Sequence, residues 1–285
     1  MRYMTAETAE AASTALAAEP GLARVLAGGT DLLVQLKAGM IQPDLVVDIK
    51  KIPGIREITP EAGGWRIGAA VANAELKEHA QVKADWPGVV EGANLIGSTQ
   101  VQGRCTMAGN LCNGSPAADA VPGLVAADAS VTIVGPSGTR VAKVADIPAG
   151  PGRTTLAKGE IVTAIHLPAR APRSADAYLR FIPRTEMDIA VASAAVSLTL
   201  SEDGTVTHAR VALGAVAPKV VLADASTIIG TKLDDAALAA LAKAAESVCN
   251  PIDDKRGTIE FRTSTAGVLA RRAALIAYNR AKGVK

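Results

Sequence analysis

The sequence predicts an α+β protein built in two parts, and three observations predict it. A short apolar run, Val25-Leu26, passes through paired glycines at 28 and 29 into the helical pattern Leu32 to Lys37, as a strand does when it turns into a helix. A proline-rich, charged stretch, Pro168 to Ser174, separates two apolar segments and reads as a linker. Beyond it, the strand-like runs Ile189 to Leu200 and Val206 to Val216 flank the hairpin signal Glu202-Asp203-Gly204, and helical patterns follow. The expected parts are residues 1–170, which hold the glycine turns, and 175–285, a smaller α+β unit with an antiparallel sheet.

Taken in order, Thr5 to Ala18 places Ala9, Ala12, Leu16 and Ala17 on one face and predicts an amphipathic helix that Pro20-Gly21 ends. Arg24 to Ala27 is expected as a strand, Leu32 to Lys37 as a helix, and Leu45 to Ile49 as a buried strand bounded by Pro43 and Pro53. Trp65 to Ala69 reads as a strand after the Gly63-Gly64 turn, and Asn73 as the cap of a helix over Ala74 to His79. His79 is expected to be solvated. Helices are predicted from Pro87 to Ile96 and from Val121 to Ala127, and strands over Ser130 to Val134 and Glu160 to Leu167, with 149–153 as a loop. In the second part, Asp234-Asp235 opens a helix to Val248, and Thr258 to Ala281 carries a last helical pattern with a break at Thr263-Ser264-Thr265.

Composition narrows the function classes. The 285 residues are 49% hydrophobic and 20% charged, with net charge +2, which implies no polybasic surface for nucleic acid or anionic lipid. Two Trp, three Tyr and two Phe argue against base-stacking modules as well. Three cysteines, Cys105, Cys112 and Cys249, contain no Cys-x-x-Cys pair; they fit a reducing cytoplasm and are too few for the four thiolates of an iron–sulfur cluster. The N-terminus has no apolar core of a secretory signal, and the run Ile189 to Leu200 is too short to span a bilayer. No nucleotide P-loop, Gly-x-Gly-x-x-Gly turn, Gly-x-Ser-x-Gly elbow or His-Glu-x-x-His is present. The three histidines are scattered, and His166, in an apolar strand, is expected as a core residue. Acid–base or hydrolytic machinery is therefore absent, whereas a bound redox cofactor would bring its own chemistry.

The stretch Thr106 to Asp119 carries two glycines, two asparagines, a threonine and a serine with no ionised group before Asp119. Such a loop can close backbone N–H groups around a phosphate-bearing cofactor, although Asn-Gly and Ser-Pro are also ordinary turn residues. Ala27-Gly28-Gly29-Thr30-Asp31 is a second loop of the same chemistry, where missing Cβ atoms allow close approach to a phosphate and a helix start adds favourable partial charge. Together, Ala27 to Asp31 and Thr106-Met107-Ala108-Gly109-Asn110, the latter continued to Asp119, resemble the FAD-binding medium subunit of the molybdenum hydroxylases. Gly159 to Ile165, Arg184 to Ala190 and Arg256 to Arg262 agree with that family in the same order, so the resemblance spans nearly the whole chain.

The resemblance implies a two-part FAD-binding domain of the vanillyl-alcohol-oxidase type followed by the smaller domain. It implies FAD as cofactor, held at the pyrophosphate by Ala27, Gly28, Gly29, Thr30 and Asp31. Thr106, Ala108, Gly109, Asn110, Ser115 and Asp119 would follow the pyrophosphate and ribityl chain. Asp119 is expected to accept from ribityl hydroxyls, or alternatively to cap the helix that starts near Val121. Ile96, Val162 and Arg180 match positions that line the isoalloxazine or hold the dinucleotide. Some relatives place an aromatic ring at Ile96 and some a lysine at Arg180, and the second loop usually has another glycine at Ala108. Aliphatic side chains are expected to cover the flavin. The implied partners are a [2Fe-2S] small subunit and a molybdopterin-binding large subunit in a dimer of heterotrimers, with NAD or another external electron acceptor. A stand-alone flavin oxidoreductase and a structural subunit that has lost FAD are the alternatives.

Overall fold

In the computed structural model the described residues are 1–283, so the end of the second expected part, 284–285, lies outside them. The chain opens on a strand, β1 (Arg2–Thr5), ahead of helix α1 (Ala9–Ala18). Periodicity placed the helix start at Thr5. Thr8 sets it instead, because its hydroxyl accepts from the Ala11 amide at 3.1 Å. β2 (Ala23–Leu26), α2 (Leu32–Lys37) and β3 (Leu45–Asp48) follow, and β3 runs between its neighbours in a parallel sheet of order β1-β3-β2. All four β3 residues are buried, as a central parallel strand requires.

A second, antiparallel sheet lies alongside. β4 (Ile58–Glu61) and β5 (Gly64–Gly68) form a hairpin, and then come helices α3 (Asn73–Glu78), α4 (Ala80–Asp85), α5 (Pro87–Asn94), α6 (Met107–Cys112) and α7 (Ala120–Ala126). β6 (Ser130–Gly135) and β7 (Gly138–Lys143) meet at the expected Gly135–Gly138 turn. The small pair β8 (Pro148–Gly150) and β9 (Arg153–Thr154) occupies the segment read as a loop, and β10 (Ile161–Leu167) completes the order β4-β5-β10-β6-β7.

Two polar residues take different places from those expected. Asn73 does not cap α3: it is the first residue of that helix, fully buried, and its amide donates to the Ala93 carbonyl at 2.8 Å. The capping is done one helix later by His79, which is half-buried against Trp65 and not fully solvated, and whose Nδ1 accepts from the Val82 amide and opens α4. His166 is not a core residue. It is half-buried on β10, with Nδ1 2.5 Å from Glu61 Oε2 and Nε2 2.7 Å from Thr132 Oγ1, so polar neighbours on β4 and β6 satisfy both ring nitrogens.

β11 (Ser174–Phe181) begins at the last residue of the stretch read as a linker. With β12 (Ala192–Leu200), β13 (Val206–Gly214) and β14 (Val221–Ala223) it forms an antiparallel sheet in sequence order. α8 (Asp235–Ser247), capped by Asp234, and α9 (Ile259–Ala281), capped by Thr258, pack on one face. The other face packs against the N-terminal part: Tyr178, Ala195 and Ala212 belong to its core, whereas Ala177, Ala194 and Val211 belong to the core beneath the helices. A sheet covered on both sides explains the nearly continuous apolar run of β12. α9 is unbroken through 263–265, since the Thr263 hydroxyl folds back onto the Ile259 carbonyl at 2.8 Å instead of competing for a turn.

Candidate cofactor site

Between the parallel sheet and the second sheet lies a cavity of about 820 Å³, within the range of small-molecule sites. β2 ends at the buried Leu26, and the chain turns through Ala27 to Asp31 into α2. Gly28 has to be glycine here: a Cβ would stand 1.9 Å from the Arg104 carbonyl oxygen, so this turn lies directly against the backbone that leads into α6. Gly29 has φ +80°, a conformation that side chains disfavour. The backbone N–H groups of Gly28, Gly29, Thr30 and Asp31 find no acceptor among the described residues, and the turn lines the cavity. From beneath, Lys50 Nζ donates to the Ala27 carbonyl at 3.3 Å and pairs with Asp48 at 2.7 Å, and the Tyr3 hydroxyl donates to the same carboxylate at 2.5 Å. Burial would raise the Asp48 carboxyl, but the hydrogen bonds from Lys50 and Tyr3 outweigh it and hold it below its ordinary value.

The second stretch folds as a helical turn where a loop was expected. The Thr106 hydroxyl accepts from the Gly109 amide at 3.0 Å and caps α6, and Asn110 Oδ1 accepts from the Ala120 amide at 3.0 Å. Thr106, Ala108, Gly109 and Asn110 all line the cavity. The Ala108 methyl is buried within α6, 4% exposed, so the departure from a second glycine fits without distortion. Ile49, Ala69, Ile96, Ile161 and Val162 supply an aliphatic lining, of the kind expected around a flavin. The Glu160 carboxylate at the rim is taken by Arg140 at 2.7 and 2.8 Å. Arg24 and Lys158, also in the lining, form no ion pair among the described residues and leave positive charge for an anionic ligand.

Ser115, Asp119 and Arg180 do not line this cavity. Ser115 Oγ accepts from the Ala117 amide at 3.2 Å and shapes the turn between α6 and α7. Asp119 neither caps α7 by its side chain nor points into the cavity; its oxygens accept from the Tyr178 hydroxyl at 2.8 Å and from Arg180 Nη1 at 2.6 Å. Burial pushes its carboxyl up to about 6 against the opposing pull of Arg180 and Tyr178. Arg180 Nη1 also donates to the Leu95 carbonyl at 3.0 Å, beside Ile96. Residues 21–25, Gly152, Thr154 and 156–161 form much of the remaining wall, and sequence reading missed them as site residues. Their one signal was the concentration of glycines at 150, 152 and 159.

A row of unsatisfied backbone donors facing an aliphatic cavity, with free cations at its rim, defines a protein that binds a large anionic cofactor with an apolar ring. Residues 1–170 match the family described as the FAD binding domain in molybdopterin dehydrogenase, and residues 177–277 match the CO dehydrogenase flavoprotein C-terminal domain. The chain belongs to the FAD-binding medium subunits of the molybdenum hydroxylase family. It is similar to the carbon monoxide dehydrogenase medium chain of Hydrogenophaga pseudoflava, 34% identical over 260 residues that cover 90% of each chain. It is also similar to the putative xanthine dehydrogenase FAD-binding subunit of Escherichia coli K12, 33% identical over 76% of this chain and 74% of that one. Among solved structures it resembles reconstituted CO dehydrogenase from Oligotropha carboxidovorans, with a TM-score of 0.93 and 32% identity over 98% of both chains. The members of this family are FAD-containing oxidoreductase subunits, and FAD is the cofactor. No helix among the described residues is long and apolar enough to cross a membrane.

Proposed function

We propose that this chain is the flavoprotein subunit of a three-subunit molybdenum hydroxylase. Electrons taken from substrate on a molybdopterin-binding large subunit cross a [2Fe-2S] small subunit and reach NAD or another external acceptor by way of this chain, in a dimer of heterotrimers. When bound, FAD supplies the redox chemistry, taking up electrons singly and giving them up singly or in pairs. The chain's own residues bind and orient it. The amides of Gly28, Gly29, Thr30 and Asp31 would hold the pyrophosphate, with Thr106, Gly109 and Asn110 on the opposite side and Ala108 beneath. Ile96 and Val162 would cover the ring and exclude water. Ser115, Asp119 and Arg180 would act from behind the wall, by fixing the turn and the chain at Leu95.

The observation that carries this reading is the row of N–H groups at 28–31 left without acceptors at the mouth of an aliphatic cavity. A flavin enzyme that oxidised its own substrate would need a proton-transfer group at the ring. Neither histidine nor tyrosine lines the cavity among the described residues, and the Glu160 carboxylate in its lining is held by Arg140. The test is an absorption spectrum after incubation with FAD and desalting, with the released nucleotide identified by chromatography, on the chain alone and on the chain co-purified with its small and large subunits. Stoichiometric FAD is the expected result. A folded chain that remains colourless in both preparations refutes it.

A further inference from the structure

Among the described residues the C-terminal part contributes none to the cavity lining, yet it grips the helix that leads into it. Asp176, Tyr178 and Arg180 alternate along β11, so all three side chains face the N-terminal part. Asp176 Oδ2 accepts from the Val89 amide at 3.0 Å, in the first turn of α5. This is the cap that α5 lacks locally, because Trp86 at its N-cap position makes no side-chain bond. The other Asp176 oxygen accepts from Arg170 Nη2 at 3.0 Å. The Tyr178 amide donates to Glu91 Oε2 on α5 at 3.0 Å, and Arg280 of α9 pairs with the same carboxylate. At the far end Arg180 holds the Leu95 carbonyl, and the next residue is Ile96 in the cavity wall.

The seat is tight. A Cβ on Gly88 would stand 2.6 Å from Asp176 Oδ2 and 2.7 Å from the Ala177 amide, and one on Gly92 would stand 2.6 Å from the Asp119 carbonyl. With β11 on one side and α7 on the other, α5 has no slack, so its position and that of Ile96 are fixed from the C-terminal part. We propose that Asp176 is a positioning residue for the cofactor: it holds α5 against β11, and α5 sets Ile96 in the wall of the flavin cavity. The inference rests on the FAD reading above.

The test uses the full chain with FAD, as wild type and as Asp176→Asn, Asp176→Leu, Gly88→Ala and Arg210→Gln. Arg210 joins the two parts through the Val125 carbonyl at 3.2 Å without touching α5, and serves as the control for a weakened junction. The readouts are the FAD dissociation constant from flavin fluorescence and the visible circular dichroism of the bound flavin at saturation. Asn keeps an acceptor for the Val89 amide but gives up the one for Arg170, so it is expected to lower the thermal midpoint and keep the dichroic bands of wild type. Asp176→Leu is expected to raise the dissociation constant about tenfold, equivalent to ~1.4 kcal/mol, and to change the dichroic bands. Gly88→Ala, which pushes α5 off Asp176, is expected to change the bands in the same way. Arg210→Gln is expected to lower the thermal midpoint and leave the bands alone. Unchanged bands in either folded α5-displacing variant, or an equal change in Arg210→Gln, overturn the proposal. Wild type that takes up no FAD overturns the cofactor reading, and this inference with it.

Discussion

Gly28→Ala separates two reasons for a glycine in the first turn. If the pyrophosphate alone needed the space, the methyl would cost FAD affinity and leave the ligand-free protein as stable as before. The structure gives another reason. The new Cβ would lie 1.9 Å from the Arg104 carbonyl oxygen, 2.7 Å from its carbon and 3.1 Å from Cys105 Cα. A carbon and a carbonyl oxygen tolerate about 3.3 Å, so the two backbones must part by roughly 1.4 Å. Backbone on both sides cannot swing away as a side-chain tip can, and overpacking of this kind costs about 1–3 kcal/mol. Urea unfolding of the ligand-free variant should show that loss. Because the parted turn no longer presents its four amides together, FAD should also bind more weakly, by roughly 5- to 150-fold if the same 1–3 kcal/mol is felt by the bound state. Wild-type unfolding in the absence of FAD, whatever the affinity, would refute the loop-against-loop argument.

Three further outcomes follow from individual contacts. The Asp119 carboxyl is raised from 3.8 to about 6, chiefly by burial, so the native state holds an extra proton between those values. Its contribution to stability is therefore full below pH 3.8 and lost as pH rises through about 6. Asp119→Asn, which has no proton to bind there, should flatten this fall by up to about 3 kcal/mol, and an identical pH slope in urea titrations from pH 4 to 7 would contradict it. Asn110→Ala removes the acceptor for the Ala120 amide at the start of α7 and should cost about 1 kcal/mol in the same assay; an unchanged midpoint would show that the bond contributes nothing. Lys158→Ala should weaken FAD by about two- to fivefold at low ionic strength, with the difference vanishing near 1 M salt as screening removes it. A salt-independent difference would mean that the side chain acts by contact and not by charge.

Much of the fold was legible because its signals are local. Paired glycines at 28 and 29 announce a turn that no side chain permits, Asp234 and Thr258 announce helix starts by their own hydrogen bonds, and the Gly204 turn joins two long strands. β11 was hidden, since its alternation sets Asp176, Tyr178 and Arg180 against small apolar residues and resembles the charged linker before it. α6 was hidden by Gly109 and Asn110, which read as loop until Thr106 caps them into a turn of helix. The aliphatic wall at Ile96 and Val162 followed from the family resemblance, and the structure brings both residues to the cavity.

By itself the sequence determined the glycine turn at 28 and 29 and most strands and helices, because backbone dihedrals, missing Cβ atoms and caps act within a few residues of the chain. Tertiary structure decided what each polar side chain is spent on. Asp119, which by type alone could accept from a ligand or cap a helix, is taken by Tyr178 and Arg180, some sixty residues away in the sequence and at 2.6–2.8 Å in space. Asn110 takes the capping role on α7 instead, and Arg180 reaches the chain beside Ile96 and not the cavity. A buried polar group must find a partner, and the fold alone determines which groups come within hydrogen-bond reach.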